Sequence, residues 1–273
     1  MCKVLGVSRS GYYKYINNLN SERKSRTNEL LSKINEVYVK SKGRYGAPRI
    51  YQKLKSEGIK CNHKTVEKLM SKNHIMAKRK RKFRTTTGSN HNYKINKNHL
   101  NREFNPTVPN QVWCSDITYI RTSEGWLYLC VFIDLFSKQV LGWSIEPNMK
   151  SCMVIKALKM AIFKRNGKIC SLLHSDRGVQ YASDAFRSAL KPYKKHCKQS
   201  MSRKGNCWDN APAESFFSSL KNELIHLDKF KTKEEAKLKI FEYIEIFYNR
   251  QRLHSALKYL SPINYEVQFS QVA

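Results

Sequence analysis

The spacing of hydrophobic residues predicts helices in the first part of the chain. Leu30, Ile34 and Val37 recur at intervals of three and four, which predicts a helix over residues 21–40. Two shorter helices are predicted next, separated by Gly58. Two short helices joined by a tight turn form the helix-turn-helix pattern of many DNA-binding proteins.

The opening residues contain a fragment of a similar pattern. Gly6 followed by Ser8 predicts a turn, with Ser8 capping a helix that includes Tyr12 and Tyr13. Because this motif is incomplete at its start, we expect the chain to be part of a longer product or to begin at an internal codon.

From Gln111 onward the pattern becomes that of a sheet. Three apolar runs joined by short turns predict an antiparallel meander, at residues 112–120, 126–134 and 139–145. Helices and strands are then predicted at residues 153–163, 170–176, 183–190, 199–202, 213–224 and 233–248. The pattern predicts an α/β (α+β) fold, in which an all-α helix-turn-helix region precedes a mixed five-stranded sheet flanked by helices.

The changes of composition along the chain predict three parts. We expect a helical DNA-binding region at residues 1–84, a polar linker at 85–110, and a core with its C-terminal helices at 111–267. The longest apolar run, residues 126–136, contains Asp134 and is too short to cross a bilayer, so no membrane partner is expected.

The charge balance indicates a polyanionic partner. The 273 residues include 51 lysines and arginines against 21 acidic residues, which gives a formal net charge of +30. Such an excess opposes compaction by self-repulsion. Nucleic acid explains it better than an anionic membrane surface, because aromatic residues are also plentiful.

A basic arm follows the predicted helix-turn-helix. It contains six cations that we expect to contact DNA phosphates, namely Lys78, Arg79, Lys80, Arg81, Lys82 and Arg84. Lys64 and Lys68, on the helix before it, are expected to do the same. A solvated basic tail is the alternative interpretation of such a run.

The cysteines and the N-terminus indicate a reducing compartment. The eight cysteines form no Cys-x-x-Cys pair, so neither a zinc cage nor a disulfide framework is expected. The first residues lack the pattern of a signal peptide. We therefore expect a cytoplasmic protein with reduced thiols.

Three acidic residues on three predicted elements could meet at one edge of the sheet. Asp116 lies within a strand, Asp176 ends a buried strand, and Glu214 lies on a helix after the last strand. Two bare carboxylates about 4 Å apart would repel by roughly 4 kcal/mol at an effective dielectric constant of 20. Two Mg²⁺ or Mn²⁺ ions would remove that cost and could catalyse phosphodiester chemistry. A structural role for each carboxylate is the alternative.

The helix that carries Glu214 is predicted to begin at a polar turn. Asp209 or Asn210 is expected to cap it, and Pro212 suits its first turn. Lys221 lies two turns beyond Glu214 on the same side, where it could hold a phosphate beside a metal ion. The alternative is a solvated helix flank.

Several neighbouring residues have two interpretations each. Asp134 could be an outer metal ligand, but a cap on the following turn is favoured. His174 could orient a substrate, but a hydrogen-bonded structural histidine is favoured. Trp208 could stack on a DNA base or pack internally. Three residues near the end could contact DNA or fix the terminal helix: Arg250, Arg252 and His254.

Five motifs together resemble the B-frame transposases of the insertion-sequence-three (IS-three) family. They are Trp113-x-x-Asp116-Ile-Thr-Tyr-Ile, Asp134-Leu-Phe-Ser-Lys-Gln-Val-Leu-Gly-Trp143, His174-Ser-Asp176-Arg-Gly-Val-Gln-Tyr181, the stretch from Ser200 to Phe217, and that from Tyr248 to Pro262. The resemblance runs nearly end to end. It implies a catalytic core similar to retroviral integrases, with an RNase H-like fold.

The resemblance also implies roles for individual residues. Asp116, Asp176 and Glu214 correspond to the catalytic and metal-binding triad, and Lys221 to a DNA-contacting cation; we expect Arg177 to position a phosphate as well. The expected partners are double-stranded DNA, as element ends and target, further copies of the chain on that DNA, and an upstream A-frame product or fusion. The expected location is the bacterial cytoplasm, at the nucleoid.

One interval departs from the family pattern. Between Asp176 and Glu214 lie 37 residues, whereas the family usually has 35. We expect the two extra residues between Leu190 and Lys198, as a longer helix or loop that leaves the triad intact. Two other functions stay open, namely a DNA-binding regulator that uses only the first 84 residues and a metal-dependent nuclease that cuts DNA without joining it.

Overall fold

The computed structural model describes residues 1–17, 22–78 and 95–272. The chain divides into two compact units, Met1–Arg79 and Lys80–Ala273. Among the basic-arm residues, Lys78 is described and exposed, whereas Arg79, Lys80, Arg81, Lys82 and Arg84 lie outside the described residues. None of the described helices could span a membrane, since each is too short or too polar.

The described part of the first unit is helical, as predicted. Its helices are α1 (Arg9–Asn17), α2 (Glu22–Lys40), α3 (Ala47–Ser56) and α4 (His63–Lys72). The hydroxyl of Ser8 accepts a hydrogen bond from the Gly11 amide at 3.1 Å, which confirms the predicted cap of α1. Ile34 of α2, Leu54 of α3 and Val66 of α4 are fully buried and form the centre of this unit.

The second unit is built on a mixed sheet of five strands. They are β1 (Val112–Thr122), β2 (Gly125–Asp134), β3 (Val140–Glu146), β4 (Leu172–Ser175) and β5 (Lys198–Met201). The spatial order is β3-β2-β1-β4-β5. β1, β2 and β3 pair antiparallel, while β4 pairs parallel with both β1 and β5. The predicted meander and the five-stranded mixed sheet are therefore confirmed.

Six helices accompany this sheet in the described residues. They are α5 (Ser151–Lys164), α6 (Val179–Ala182), α7 (Asp184–Leu190), α8 (Ala211–Leu220), α9 (Lys233–Phe241) and α10 (Pro262–Val272). Two of them continue as π-helical segments, α8 through Lys221–Ile225 and α9 through Glu242–Tyr248. The sequence pattern did not predict α6 or α10.

The two faces of the sheet have separate hydrophobic clusters. On one face, α5 packs against the central strands through a cluster that includes Trp113 and Ala157. On the other face, Val112 and Cys114 of β1 pack against Ala213 of α8. Because side chains alternate along a strand, the next even-numbered residue of β1 also faces α8.

The stretch predicted as a linker has a packed second half. Residues 95–110 form no regular helix or strand, but Leu100 is 2% exposed and joins the cluster beneath α8. The His99 amide donates to the Ser200 hydroxyl at 2.8 Å. The polar composition of this stretch therefore reflects side chains and amides that bond to the sheet. The domain boundaries of the sequence analysis stay predictions.

Candidate active site

The parallel pairing of β1 and β4 places two aspartates side by side. Ser115 is paired with Ser175, the last residue of β4. Asp116 and Asp176 each come one residue later, so they occupy matching positions on strands about 5 Å apart. Both carboxylates are partly buried. Two of the three predicted acids are therefore brought together by the backbone ladder.

The third acid approaches from the helix that covers this face. Asp116 has the same parity along β1 as Val112 and Cys114, so it faces α8. Ala213 of α8 is buried against that face, and Glu214 follows it, half-buried. The elements that carry all three acids thus converge on one end of the sheet.

The charges of both other acids act on the pKa of Asp116. Burial raises the pKa of Asp116 well above its usual value, and the neighbouring carboxylates of Asp176 and then Glu214 raise it further. The Ile117 amide, which donates to Asp116 at 2.8 Å, opposes that shift in pKa. Burial also raises the pKa of Glu214.

Of these two neighbouring carboxylates, Asp176 raises the pKa of Asp116 more than Glu214 does. In the described ranges, the side chains as they stand form no group of three His, Cys, Asp or Glu residues arranged to hold a metal ion. The chemistry of the donors nevertheless fits hard divalent cations, which prefer carboxylate oxygens. Such an ion would relieve the repulsion that raises the pKa of Asp116.

Lys221 is the cation that reaches this group of acids. Burial lowers the pKa of Lys221, and the charge of Asp116 opposes that shift. Its Nζ atom lies 5.1 Å from the ring centre of Tyr119. Lys221 therefore interacts with the charge of Asp116, while its alignment with Glu214 stays a prediction.

The loop after Asp176 is shaped around its carboxylate. The Gly178 amide donates to Asp176 Oδ1 at 2.9 Å. A Cβ atom at Gly178 would lie 3.0 Å from that oxygen, so a larger residue would crowd the carboxylate. Arg177 donates through Nε to the Ser202 carbonyl at 2.6 Å, which ties this side chain to the segment after β5.

The prediction that Asp209 or Asn210 caps α8 is wrong. Asn210 stands at the cap position, but its side chain makes no capping hydrogen bond. Asp209 is fully buried and accepts hydrogen bonds from Arg203, Arg102 and Asn98, at 2.9 to 3.0 Å. Sequence reasoning missed this network because its partners lie up to 111 residues apart.

The side chain of Trp208, next to this network in the sequence, is exposed to solvent. Its side chain is 69% exposed, although the next residue, Asp209, is fully buried. The internal-packing interpretation of Trp208 is therefore wrong. Base stacking stays a prediction for this residue, which lies six positions before Glu214.

Asp134 and His174 have the structural roles that were favoured. Asp134 accepts from the Phe136 amide at 2.9 Å, which caps the following turn, and pairs with Arg165 at 3.0 Å. His174 is fully buried between the hydroxyls of Ser200 and Ser202. Burial lowers the pKa of His174 to about 4, so it is neutral at pH 7.

Near the C-terminus, two arginines differ in burial. Arg252 is buried and pairs with Glu223 at 2.7 Å, and it also contacts His254. These residues fix the terminal segments, whereas Arg250 is exposed. In the first unit, Lys64 and Lys68 are exposed on α4, where DNA could reach them.

Comparison with protein families divides the chain in a similar way. The HTH-like domain family matches residues 25–83. Two families described as Integrase core domain match residues 106–207 and 214–269. Together with the strand order, these matches confirm the expected RNase H-like core and the helix-turn-helix region before it.

Two curated proteins resemble the chain along its length. The "Insertion element IS600 uncharacterized 31 kDa protein" of Shigella sonnei is 41% identical over all 273 residues and over its own full length. "Transposase InsF for insertion sequence IS3A" of Escherichia coli (strain K12) is 41% identical over 268 residues, 97% of this chain and 92% of its own.

A solved structure resembles the chain more distantly. It is the simian T-cell lymphotropic virus intasome in complex with PP2A regulatory subunit B56 gamma. The alignment covers 85% of this chain and 74% of the viral chain, with 15% identity and a TM-score of 0.49.

Proposed function

Because the chain belongs to the IS3 family of insertion-sequence transposases, we propose that it cuts and joins DNA at the ends of its element through Asp116, Asp176 and Glu214. The integrase core makes it an enzyme of the DDE transposase and integrase class. The observation that supports this triad most directly is the pairing of Ser115 with Ser175, which gives Asp116 and Asp176 matching positions on the face that α8 covers.

Asp116 and Asp176 would supply the first ligands for Mg²⁺ or Mn²⁺, and Glu214 would complete a site for two ions. When bound, such ions activate an attacking oxygen and stabilise the leaving oxygen of a phosphodiester. In the first step water attacks phosphorus and the element's 3′-hydroxyl leaves. In the second step that hydroxyl attacks a target phosphodiester, and a target 3′-oxygen leaves.

The cations around the acids would position the DNA. The charge of Asp116 acts on Lys221, and Arg177 follows Asp176 in the chain, so each cation would hold a phosphate next to a reacting bond. In the first unit, Lys64, Lys68 and Lys78 are exposed and would bind the terminal sequence through its backbone. Trp208, exposed before α8, would stack on a base near the cut.

The reaction also needs an assembly. We propose that several copies act together on paired element ends in the bacterial cytoplasm, at the nucleoid. An A-frame product, acting separately or fused upstream, would be a further partner. Assays of the chain with and without such an N-terminal extension would test this part of the proposal.

Isosteric replacement of the triad tests the chemistry. Asp116→Asn, Asp176→Asn and Glu214→Gln keep side-chain size but remove the charge that a divalent ion requires. Each should reduce Mg²⁺-dependent cutting and joining by about 10³-fold, the scale of losing a main electrostatic contribution to catalysis. The measurement is product formation from end-labelled DNA, with binding measured in parallel.

Glu242→Gln is the matched control, because Glu242 is an exposed acid of the same unit. DNA binding should survive in all four variants. Full activity in all three triad variants would exclude this mechanism. The same assay separates the other candidate functions, because a regulator binds without cutting and a nuclease cuts without joining.

A further inference from the structure

A cleft lies at the β5 edge of the sheet, with a volume of about 820 Å³. Its walls come from the end of α7, the 3₁₀ turn Lys191–Tyr193 and the start of β5. Asn96, His99 and Ser171 complete them. None of the functions argued so far uses this cleft.

The cleft is lined by an excess of positive charge. Its charged basic residues are Arg187, Lys191, Lys194, Lys195 and Lys198, and two histidines, His99 and His196, also line it. Among the described residues that line it, none is acidic. Asp184 stands nearby and approaches Arg187 at 3.7 Å, but it is 85% exposed, and such surface pairs are weak.

This concentration of charge favours an anionic occupant. Desolvation and the neighbouring charges of Lys198 and Lys97 lower the pKa of His99, which lines the same cleft. Like charges held together by the fold destabilise it by self-repulsion. An anion bound in the cleft would remove that cost.

The position of the cleft relates it to the candidate active site. Ser171 lines the cleft immediately before β4, and Asp176 follows the last residue of that strand. Five residues of extended chain span about 16 Å, so the cleft lies at the opposite end of β4 from the acids. That distance corresponds to about five base pairs of duplex DNA.

We propose that this cleft binds the phosphodiester backbone of duplex DNA, as a second contact remote from the acids. The proposal rests on the proposed function in one respect: it assumes that the DNA bound at the acids continues along the β5 edge. Exposed lysines at several points of one open cleft suit a continuous backbone better than a single small anion, which would need one enclosed pocket.

The test replaces three exposed lysines of the cleft in the full-length chain, as Lys191→Gln, Lys194→Gln and Lys195→Gln combined. The matched control combines Lys159→Gln, Lys231→Gln and Lys258→Gln. Those three lysines are also exposed and do not line the cleft. Both triple variants lose the same charge, and equal thermal unfolding curves would verify that both are folded.

Affinity for a duplex of about 30 base pairs is measured against salt concentration, because each phosphate contact contributes about 0.9 to the slope. The cleft variant should flatten that slope by about 2 to 3 units relative to the control. Raising the salt concentration from about 50 to 200 mM should therefore weaken DNA binding by the cleft variant about 40-fold less than it weakens DNA binding by the unchanged protein. Cutting at saturating DNA should stay unchanged.

Equal slopes for the cleft variant and the control would overturn the proposal. It would also fail if the cleft variant lost affinity for inorganic phosphate but kept its affinity for DNA, since the cleft would then be a small-anion site. If the unchanged protein cut no DNA but the two slopes still differed, the proposed function would fail and the DNA-binding cleft would stand.

Discussion

At the residue scale, Asp209 joins the turn before α8 to the nearby loop after β5 and to a stretch more than 100 residues earlier. Its buried carboxylate accepts from Arg203, in the loop after β5, and from Asn98 and Arg102, in the stretch before β1. Asp209 itself belongs to the turn that leads into α8. This one carboxylate therefore helps to position the helix that carries Glu214.

Asp209→Asn should lower the free energy of unfolding by about 2 kcal/mol at pH 7, since hydrogen bonds between charged groups are lost. Hydrogen bonds from Arg203 hold the pKa of Asp209 well below its usual value of 3.8. A depressed pKa stabilises the fold above the unfolded-state pKa and loses that effect as pH falls. The difference in the free energy of unfolding between the two proteins should therefore shrink progressively as the pH falls below about 4.

Urea unfolding at several pH values measures this difference. Asp184→Asn is the control, because Asp184 is an exposed aspartate of the same unit. A difference that stayed constant from neutral pH down to pH 3 would show that the charge of Asp209 is not what stabilises the fold.

Arg252 makes a second prediction at this scale. It pairs with Glu223, which also accepts from the Tyr243 hydroxyl at 2.8 Å. Arg252→Met would leave a largely buried carboxylate without its cation, at a cost of about 3–5 kcal/mol. The neighbouring change Arg250→Met removes an exposed arginine and should cost far less. Thermal unfolding measures both, and equal losses would contradict the buried-pair interpretation.

The same scale shows how far single residues could be interpreted from the sequence. Asp116 was recognisable because an aspartate is unfavourable inside an apolar strand. Asp209 was not, since the short polar residues before a helix usually cap it and nothing local indicates a distant arginine. A sequence shows which residue is out of place, but the partner of a buried charge depends on tertiary folding.

At the element scale, the contact between β3 and α5 depends on one glycine. A Cβ atom at Gly142 would meet the Ala157 carbonyl and lie 2.6 Å from the Ala161 amide nitrogen. Both contacts are with helix backbone, which cannot rotate away. The helix can therefore lie close to the strand only while residue 142 has no side chain.

Gly142→Ala should accordingly destabilise the protein by about 3 kcal/mol, the upper range for overpacking a core. Ser144→Ala, two residues along the same strand and also buried, is the control and should cost less. Denaturant unfolding of both variants measures the effect. An alanine tolerated equally at the two positions would mean that the strand and helix can separate without loss.

Element boundaries were predicted where periodicity was strong and missed where it was weak. The strands and longer helices were predicted to within a few residues, because the period of their apolar residues marks them. α6 has four residues, too few to show a period, and α10 has a mixed polar sequence. The π-helical segments at Lys221–Ile225 and Glu242–Tyr248 have no local signature, because packing determines where a helix widens.

At the scale of the whole molecule, charge and topology carry different information. A net charge of +30 predicted a polyanionic partner but could not indicate which surface binds it. The pairing of β1 with β4 puts Asp116 and Asp176 at one end of β4, and the cleft lysines lie at the other. The fold class followed from periodicity, whereas the chemistry followed from motifs, because only the motifs specified which acids belong together.

During evolution, the ladder that pairs Ser115 with Ser175 should tolerate inserted residues less well than segments outside it. Inserting a residue within that ladder would turn one aspartate to the opposite face, and under the proposed mechanism such copies would lose activity. The turn at residues 191–197 lies outside the ladder, where extra residues leave the pairing intact. Length differences among related copies should therefore accumulate beside the cleft, which lets DNA affinity diverge while the reaction itself is inherited unchanged.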